Sequence, residues 1–114
     1  MCPEEIFKKE VKNNIQKISL DKTLHDLSTK WIKEITPYKW AYNFSWLGRP
    51  AIQFPNDAWS MQEIIWQVKP GLIIETGIAH GGSLVFSASM LALLDICDAM
   101  EKKKPFDPSN SGLS

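Results

Sequence analysis

Residues 71–83 read Gly-Leu-Ile-Ile-Glu-Thr-Gly-Ile-Ala-His-Gly-Gly-Ser and lead into an apolar run that reaches Met100. That order predicts a buried strand, a glycine loop and a helix. Leu72, Ile73 and Ile74 form a short apolar run after the breaker pair Pro70-Gly71. Glu75 then puts a carboxylate at the strand's C-terminal end. Gly77, Gly81 and Gly82 permit a tight turn with positive φ and leave backbone open to a ligand. Ser83 suits the N-cap of the next helix. Unpaired N–H groups and the dipole at that helix start favour an anionic group. In open α/β sheets this strand end is where ligands bind. The expectation is therefore an α/β chain with a small-molecule site at residues 75–83.

The rest of the chain reads as helices and one aromatic stretch. Residues 4–18 predict a charged, weakly amphipathic helix with Ile6, Val11, Ile15 and Ile18 on a thin stripe and Pro3 in its first turn. Its lysines interleave with Glu4, Glu5 and Glu10, which is the pattern of a solvated face and not of a nucleic-acid patch. Ser19 and Asp21 offer caps for a second helix over 22–35, with Leu24, Leu27, Trp31, Ile32 and Ile35 at helical spacing. His25 lies off that face and has no partner at a metal-ligand spacing. Thr36-Pro37 ends the helix, because the residue before a proline avoids the α region. From Tyr38 to Trp46 every even position is aromatic, a period of two that suits either a strand in need of a partner or an extended arm over a neighbouring surface, and that packs or lines an organic pocket. Residues 46–50 turn the chain. Asn56 or Asp57 then caps a third helix with Met61, Ile64, Ile65 and Val68 inward, a shifted capping box at 60–63, and Pro70 as its stop.

Composition narrows the function classes. Thirteen basic and thirteen acidic residues cancel, so no global field argues for nucleic acid or an anionic membrane. Cys2 and Cys97 cannot build a disulfide framework. They predict a reduced protein with one exposed thiol and, at Cys97, one core thiol. The N-terminus has no apolar segment of the signal-peptide kind, and residues 83–97 are too short and too mixed for a membrane span. A cytoplasmic location is expected. The organisation expected is a helical cover at 1–36, the start of a Rossmann-like domain at 37–100, and a disordered tail at 101–114 with too little apolar content to fold.

One strand does not make a sheet. A parallel sheet needs further strands delivered by right-handed crossovers, and the chain stops where the second should begin. The helix at 83–100 would then expose a large apolar surface. The expectation is a truncated piece of a larger α/β protein. The alternative is a short chain that buries this surface against a partner.

The loop itself departs from two phosphate-binding patterns. Ala79 replaces the second glycine of Gly-x-Gly-x-x-Gly, and no Gly-Lys-Ser/Thr follows for a Walker loop. S-adenosylmethionine suits it better. Its ammonium favours a nearby carboxylate, and its own carboxylate favours the N–H groups of a helix start.

Residues 46–50 (Trp-Leu-Gly-Arg-Pro), 53–57 (Gln-Phe-Pro-Asn-Asp), 62–65 (Gln-Glu-Ile-Ile) and above all 74–83 (Ile-Glu-Thr-Gly-Ile-Ala-His-Gly-Gly-Ser) resemble the cephalosporin hydroxylase family, also described as rhamnosyl O-methyltransferase-like. The resemblance covers roughly residues 25 to 97. It implies the N-terminal portion of a Rossmann-like, class I S-adenosylmethionine-dependent methyltransferase that O-methylates a small molecule or saccharide, with a divalent metal in some members. It places Glu75, Thr76, Gly77, His80, Gly81, Gly82 and Ser83 in the first cofactor motif. Glu75 would recognise the methionine amino end, the glycines would give backbone access, and Ser83 would open the helix near the carboxylate. Glu75 and Ser83 can also serve as strand-end and helix caps, and both roles can hold together. A loop histidine such as His80 can be a general base, but nothing pairs with it here. Members of the family continue into an acidic strand end for the ribose hydroxyls and into metal-binding carboxylates. Neither follows Lys104, so the metal ligands are absent and the chain by itself is expected to bind cofactor weakly or not at all and to be inactive.

Two functions compete with different requirements. One is a methyltransferase fragment whose parent acts on a hydroxyl. The other is a non-enzymatic module that pairs with a full-length subunit, or with itself, through the aromatic arm and the exposed helix. A glycan-binding piece using the tryptophans lacks a supporting polar constellation.

Overall fold

The computed structural model describes residues 2–110. They divide between Tyr38 and Lys39 into two compact units.

The first unit holds α1 (Pro3–Ser19) and α2 (Lys22–Ile35), which pack on each other. Pro3 occupies the first turn of α1, and Lys8 Nζ lies 2.7 Å from Glu4 Oε1 one turn away. Asp21 caps α2 as expected: its Oδ1 accepts from the Leu24 N–H at 3.0 Å. His25 is an exposed residue whose Nε2 lies 3.3 Å from the Ser19 carbonyl oxygen. The α2 ladder ends at Ile35, although Thr36 keeps α-region angles (φ −57°, ψ −41°) ahead of Pro37. The stop comes from Pro37 itself, which has no N–H to continue the ladder. Thr36 Oγ1 donates to the Ile32 carbonyl at 2.5 Å, and a 3-10 turn covers Thr36–Tyr38. Neither helix has a buried residue, so the unit has an apolar seam and no enclosed core.

The second unit opens with a 3-10 turn at Trp40–Tyr42 and a hairpin of β1 (Phe44–Trp46) and β2 (Arg49–Ala51). The strands are antiparallel, with Phe44 opposite Ala51, Ser45 opposite Pro50 and Trp46 opposite Arg49. Leu47 and Gly48 make the two-residue turn with φ of 47° and 80°, the sign that tight hairpins need. Closing pairs of such hairpins exchange hydrogen bonds and the next pair does not, so Pro50 stands where no donor is required. The aromatic arm is thus neither one strand nor one stripe. The 3-10 turn breaks its alternation: Tyr38 and Tyr42 are exposed, Trp40 packs against Phe44 (5.0 Å between centroids) and Phe54 (5.5 Å), and Trp46 packs edge-on against Phe86 (4.8 Å).

Helix α3 (Pro55–Val68) begins one residue before the caps expected for it. Phe54 takes the N-cap position with no side-chain cap, Pro55 starts the helix, Asn56 and Asp57 lie inside its first turn, and the supposed capping box begins in its second turn. The preset φ of Pro55 replaces the missing cap. At the other end Lys69 is left-handed (φ 49°), its N–H returns to the Ile65 carbonyl at 2.8 Å, and its ammonium lies 3.4 Å from the Trp66 ring centroid. Ile65 is the one buried residue of this helix.

The expected strand at 72–74 is not a strand. The segment has no ladder partner among the described residues, and the two-stranded sheet is the hairpin instead. Leu72 and Ile74 are 70% and 80% exposed. Apolar β-branched residues favour extended backbone, but a strand exists only where a neighbour takes its N–H and C=O groups.

Helix α4 (Gly82–Glu101) packs against both hairpin strands and α3. Gly82, Ser87 and Leu91 are buried. Gly81, with φ of 83°, takes the N-cap position expected for Ser83, which sits inside the first turn. Leu84, Leu93 and Met100 remain exposed, and so does Cys97, which is therefore not a core thiol. The helix is longer than the apolar segment suggested; by length and composition alone it would suffice to cross a membrane. Beyond it, Asp107 Oδ1 accepts from the Ser109 N–H (3.0 Å) and hydroxyl (2.7 Å) ahead of a 3-10 turn at Pro108–Asn110. Residues 111–114 of the expected disordered tail lie outside the described residues.

Candidate functional site

Glu75 is the centre of the site. Its half-buried carboxylate accepts from Ser83 Oγ through Oε2 at 2.9 Å and from Ser87 Oγ through Oε1 at 2.7 Å. Ser83 and Ser87 are four apart on α4 and so share one helix face. The helix thereby grips both oxygens of one carboxylate. This double bond ties the end of the extended segment to α4 where no strand ladder holds it.

Between Glu75 and α4 the chain makes a compact loop. Gly77, Ala79 and Gly81 all have positive φ (73°, 46° and 83°), and the Gly81 N–H closes onto the Ile78 carbonyl at 2.7 Å. A Cβ built at Gly77 or Gly81 would meet nothing within 4 Å, so the loop's outer side is open. Gly82 differs. A Cβ there would fall on the Pro50 carbonyl oxygen and lie 2.7 Å from the Ala51 Cα and Cβ. Its bare backbone is used by the hairpin, which sits directly on the first turn of α4. Thr76 and His80 are exposed on the loop.

Of the seven residues singled out in the sequence, the structure joins Glu75 to Ser83 directly and gives Gly77 and Gly81 the conformation-setting positions. Ser87 escaped the sequence reading. Its signal was the spacing Ser83-x-x-x-Ser87 behind a carboxylate, which only a helix converts into a common face.

Beside the clasp lies a cavity of about 580 Å³. Phe44, Trp46, Trp59 and Phe86 supply aromatic walls, and Glu75, Ser83 and Ser87 supply polar ones. Two members of the aromatic stripe thus line an organic-sized space, whereas Tyr38, Trp40 and Tyr42 do not border it. Trp46 is set by its Nε1–H, which donates to Ser89 Oγ at 3.0 Å, while Ser89 donates to the Val85 carbonyl at 2.8 Å. Among the described residues no three His, Cys, Asp or Glu side chains converge in a way that would hold a metal ion.

The profile of the family described as Rhamnosyl O-methyltransferase/CmcI matches residues 38–107, which include the whole loop and clasp. The chain belongs to this family. A Rhamnosyl O-methyltransferase of Mycobacterium leprae (strain TN) is 37% identical over 60 residues, covering 47% of this chain and 26% of the relative. The Rhamnosyl O-methyltransferases of Mycobacterium bovis (strain BCG / Pasteur 1173P2) and Mycobacterium tuberculosis (strain ATCC 25618 / H37Rv) are each 35% identical over 60 residues, covering 47% of this chain and 24% of the relative. The chain spans about a quarter of the length of these relatives. No solved structure matches it. The Rhamnosyl O-methyltransferase/CmcI match accounts for the loop and for the hairpin and α3 before it, since all lie within residues 38–107.

Proposed function

We propose that residues 75–83 form the methionine-end part of an S-adenosylmethionine site in an O-methyltransferase acting on a hydroxyl of a small molecule or saccharide. The observation that carries this reading is the juxtaposition of the Glu75 carboxylate with an open, positive-φ loop and an α4 start that has no side-chain cap. The ligand's ammonium fits the carboxylate, which retains lone pairs beyond the two serine bonds. Its carboxylate fits the first N–H groups of α4, which have no partner within the helix. The bound cofactor would supply an electrophilic methyl group. This chain's own residues bind and orient it. Cytoplasm is the compartment this reading supposes.

The test is a nitrogen–proton correlation spectrum of the chain titrated with S-adenosylmethionine, which detects millimolar affinity. Shifts confined to amides of residues 75–84, and lost in Glu75→Gln, are expected. A folded protein whose spectrum does not change at 10 mM ligand (roughly the weak limit of useful affinity) would sink the reading. No methyl transfer is expected from the chain alone, since its match covers about a quarter of the relatives' length.

A second reading is favoured by the exposed Leu72 and Ile74, whose backbone has no strand partner among the described residues. The chain would be a non-enzymatic module that pairs with a full-length member of its family through this segment and the exposed face of α4. Light scattering of the chain mixed with such a subunit checks it: a 1:1 complex supports pairing, and separate elution removes it.

A further inference from the structure

The cavity beside the clasp has one charged wall and no counter-charge. Among the described residues that line it, Glu75 alone carries a formal charge. Among the described residues, the ion pairs Lys8–Glu4, Lys22–Asp26 and Lys102–Asp98 lie away from Glu75. Its two partners are neutral hydroxyls. The hydroxyls satisfy one acceptor site on each oxygen, and a cation entering the space would add a charge-assisted hydrogen bond to the lone pairs that remain. Ring faces add to this, because aromatic π-systems attract cations electrostatically. Phe44, Trp46, Trp59 and Phe86 surround the same space. Its volume, about 580 Å³, falls in the range of small-molecule sites, roughly 300–1,000 Å³.

We propose that this cavity binds an organic cation: an ammonium group on an aromatic or branched apolar body, with the ammonium on Glu75 and the body among Trp46, Trp59 and Phe86. The clasp prepares the site. Ser83 and Ser87 orient both carboxylate oxygens from the α4 side, so the carboxylate is presented to the ligand at little further cost in side-chain ordering. The Trp46–Ser89 bond likewise holds one aromatic wall in place. The carboxylate is the same one that the methyl-transfer reading gives to the cofactor's ammonium, so the two ligands would compete for it; the test contains no S-adenosylmethionine, and its outcome is read separately from that reading.

The experiment titrates the full chain with 2-phenylethylamine, 2-phenylethanol and phenylacetate, three probes of one shape and different charge. The indole N–H resonances of the tryptophans report binding. Trp46 and Trp59 border the cavity; Trp31 and Trp66 do not and serve as internal controls. The amine is expected to shift Trp46 and Trp59 only and to bind at least about tenfold more tightly than the alcohol, with phenylacetate weaker still. Glu75→Gln, which keeps an acceptor for one serine, should bring amine and alcohol to within about twofold. Equal affinity for all three probes would overturn the proposal. So would an unchanged amine preference in Glu75→Gln, or shifts at Trp31 and Trp66 equal to those at Trp46. Because the probe series is read on the unaltered protein, a poorly folding variant leaves the test intact.

Discussion

Ser87, buried on the second turn of α4, donates its hydroxyl proton to Oε1 of Glu75 at 2.7 Å, twelve residues back in the chain. A hydrogen bond to a carboxylate from a buried hydroxyl is worth more than an ordinary one, roughly 1.5–3 kcal/mol. Half-exposure of Glu75 reduces that. Ser87→Ala should therefore lower stability by about 1–2 kcal/mol, read as a fall in the urea midpoint at unchanged slope. Ser83→Ala, nearer solvent, should cost less. Equal stability of Ser87→Ala and the parent would show that the clasp does not hold the loop.

Gly82 and Gly81 stand side by side with opposite reasons for being glycine. Gly82 has no room for a Cβ against Pro50 and Ala51, while Gly81 has room but a φ of 83°. Alanine improves a helix interior by about 1 kcal/mol, whereas overpacking against backbone costs about 1–3 kcal/mol. Gly82→Ala should be net destabilising and should perturb the amides of β2. Gly81→Ala should cost about 1–2 kcal/mol from the left-handed conformation and leave β2 unmoved. Thermal melts together with β2 chemical shifts separate the two cases.

Trp46 couples the hairpin to α4 in two ways, through Phe86 and through Ser89. Trp46→Phe keeps an aromatic contact and loses the indole donor, and should cost about 1 kcal/mol. Ser89→Ala removes the same bond from the other side. In a double-mutant cycle the second substitution should add much less than it does alone. Simple additivity would mean that the hydrogen bond contributes nothing measurable.

In the first unit, Asp21→Ala should lower stability by roughly 0.5–2 kcal/mol and reduce far-ultraviolet helicity from α2, because the Leu24 N–H loses its acceptor.

The Lys8 ammonium, first by hydrogen bonding and then by charge, holds the Glu4 carboxyl below its ordinary value. A carboxyl lowered in the folded state stabilises fully above the unfolded value, and that contribution fades as pH falls through the lowered one. Helicity of α1 should accordingly decline on acidification below the usual glutamate range, and 1 M salt should weaken the dependence. A carbon-13 titration of the Glu4 carboxyl checks the direction; a midpoint at or above the ordinary glutamate value would contradict it.

Much of the local structure was legible in the sequence because its causes are local. Asp21 capped α2, Pro3 began α1, and Pro70 followed the end of α3, each through a backbone constraint acting within a few residues, whereas Pro55 at the start of α3 was missed. The glycine loop was also readable, since Gly77 and Gly81 take the positive φ that glycine permits. The motifs at 46–50, 53–57, 62–65 and 74–83 pointed to the family whose profile matches residues 38–107. Tertiary structure decided the rest, for a common physical reason: the deciding partner is distant in the chain. Residues 72–74 have strand-forming side chains, yet among the described residues no neighbouring strand meets them, and the paired strands are the hairpin at 44–51. Gly82 was read for the backbone access it gives, and only the fold adds that the hairpin carbonyl of Pro50 leaves no room for a Cβ there. Cys97 lies in an apolar helix but on a part of it that nothing covers. Ser87 carries no signal by itself. It becomes part of the site because one helical turn aligns it with Ser83 under a carboxylate that the folded loop brings back to α4.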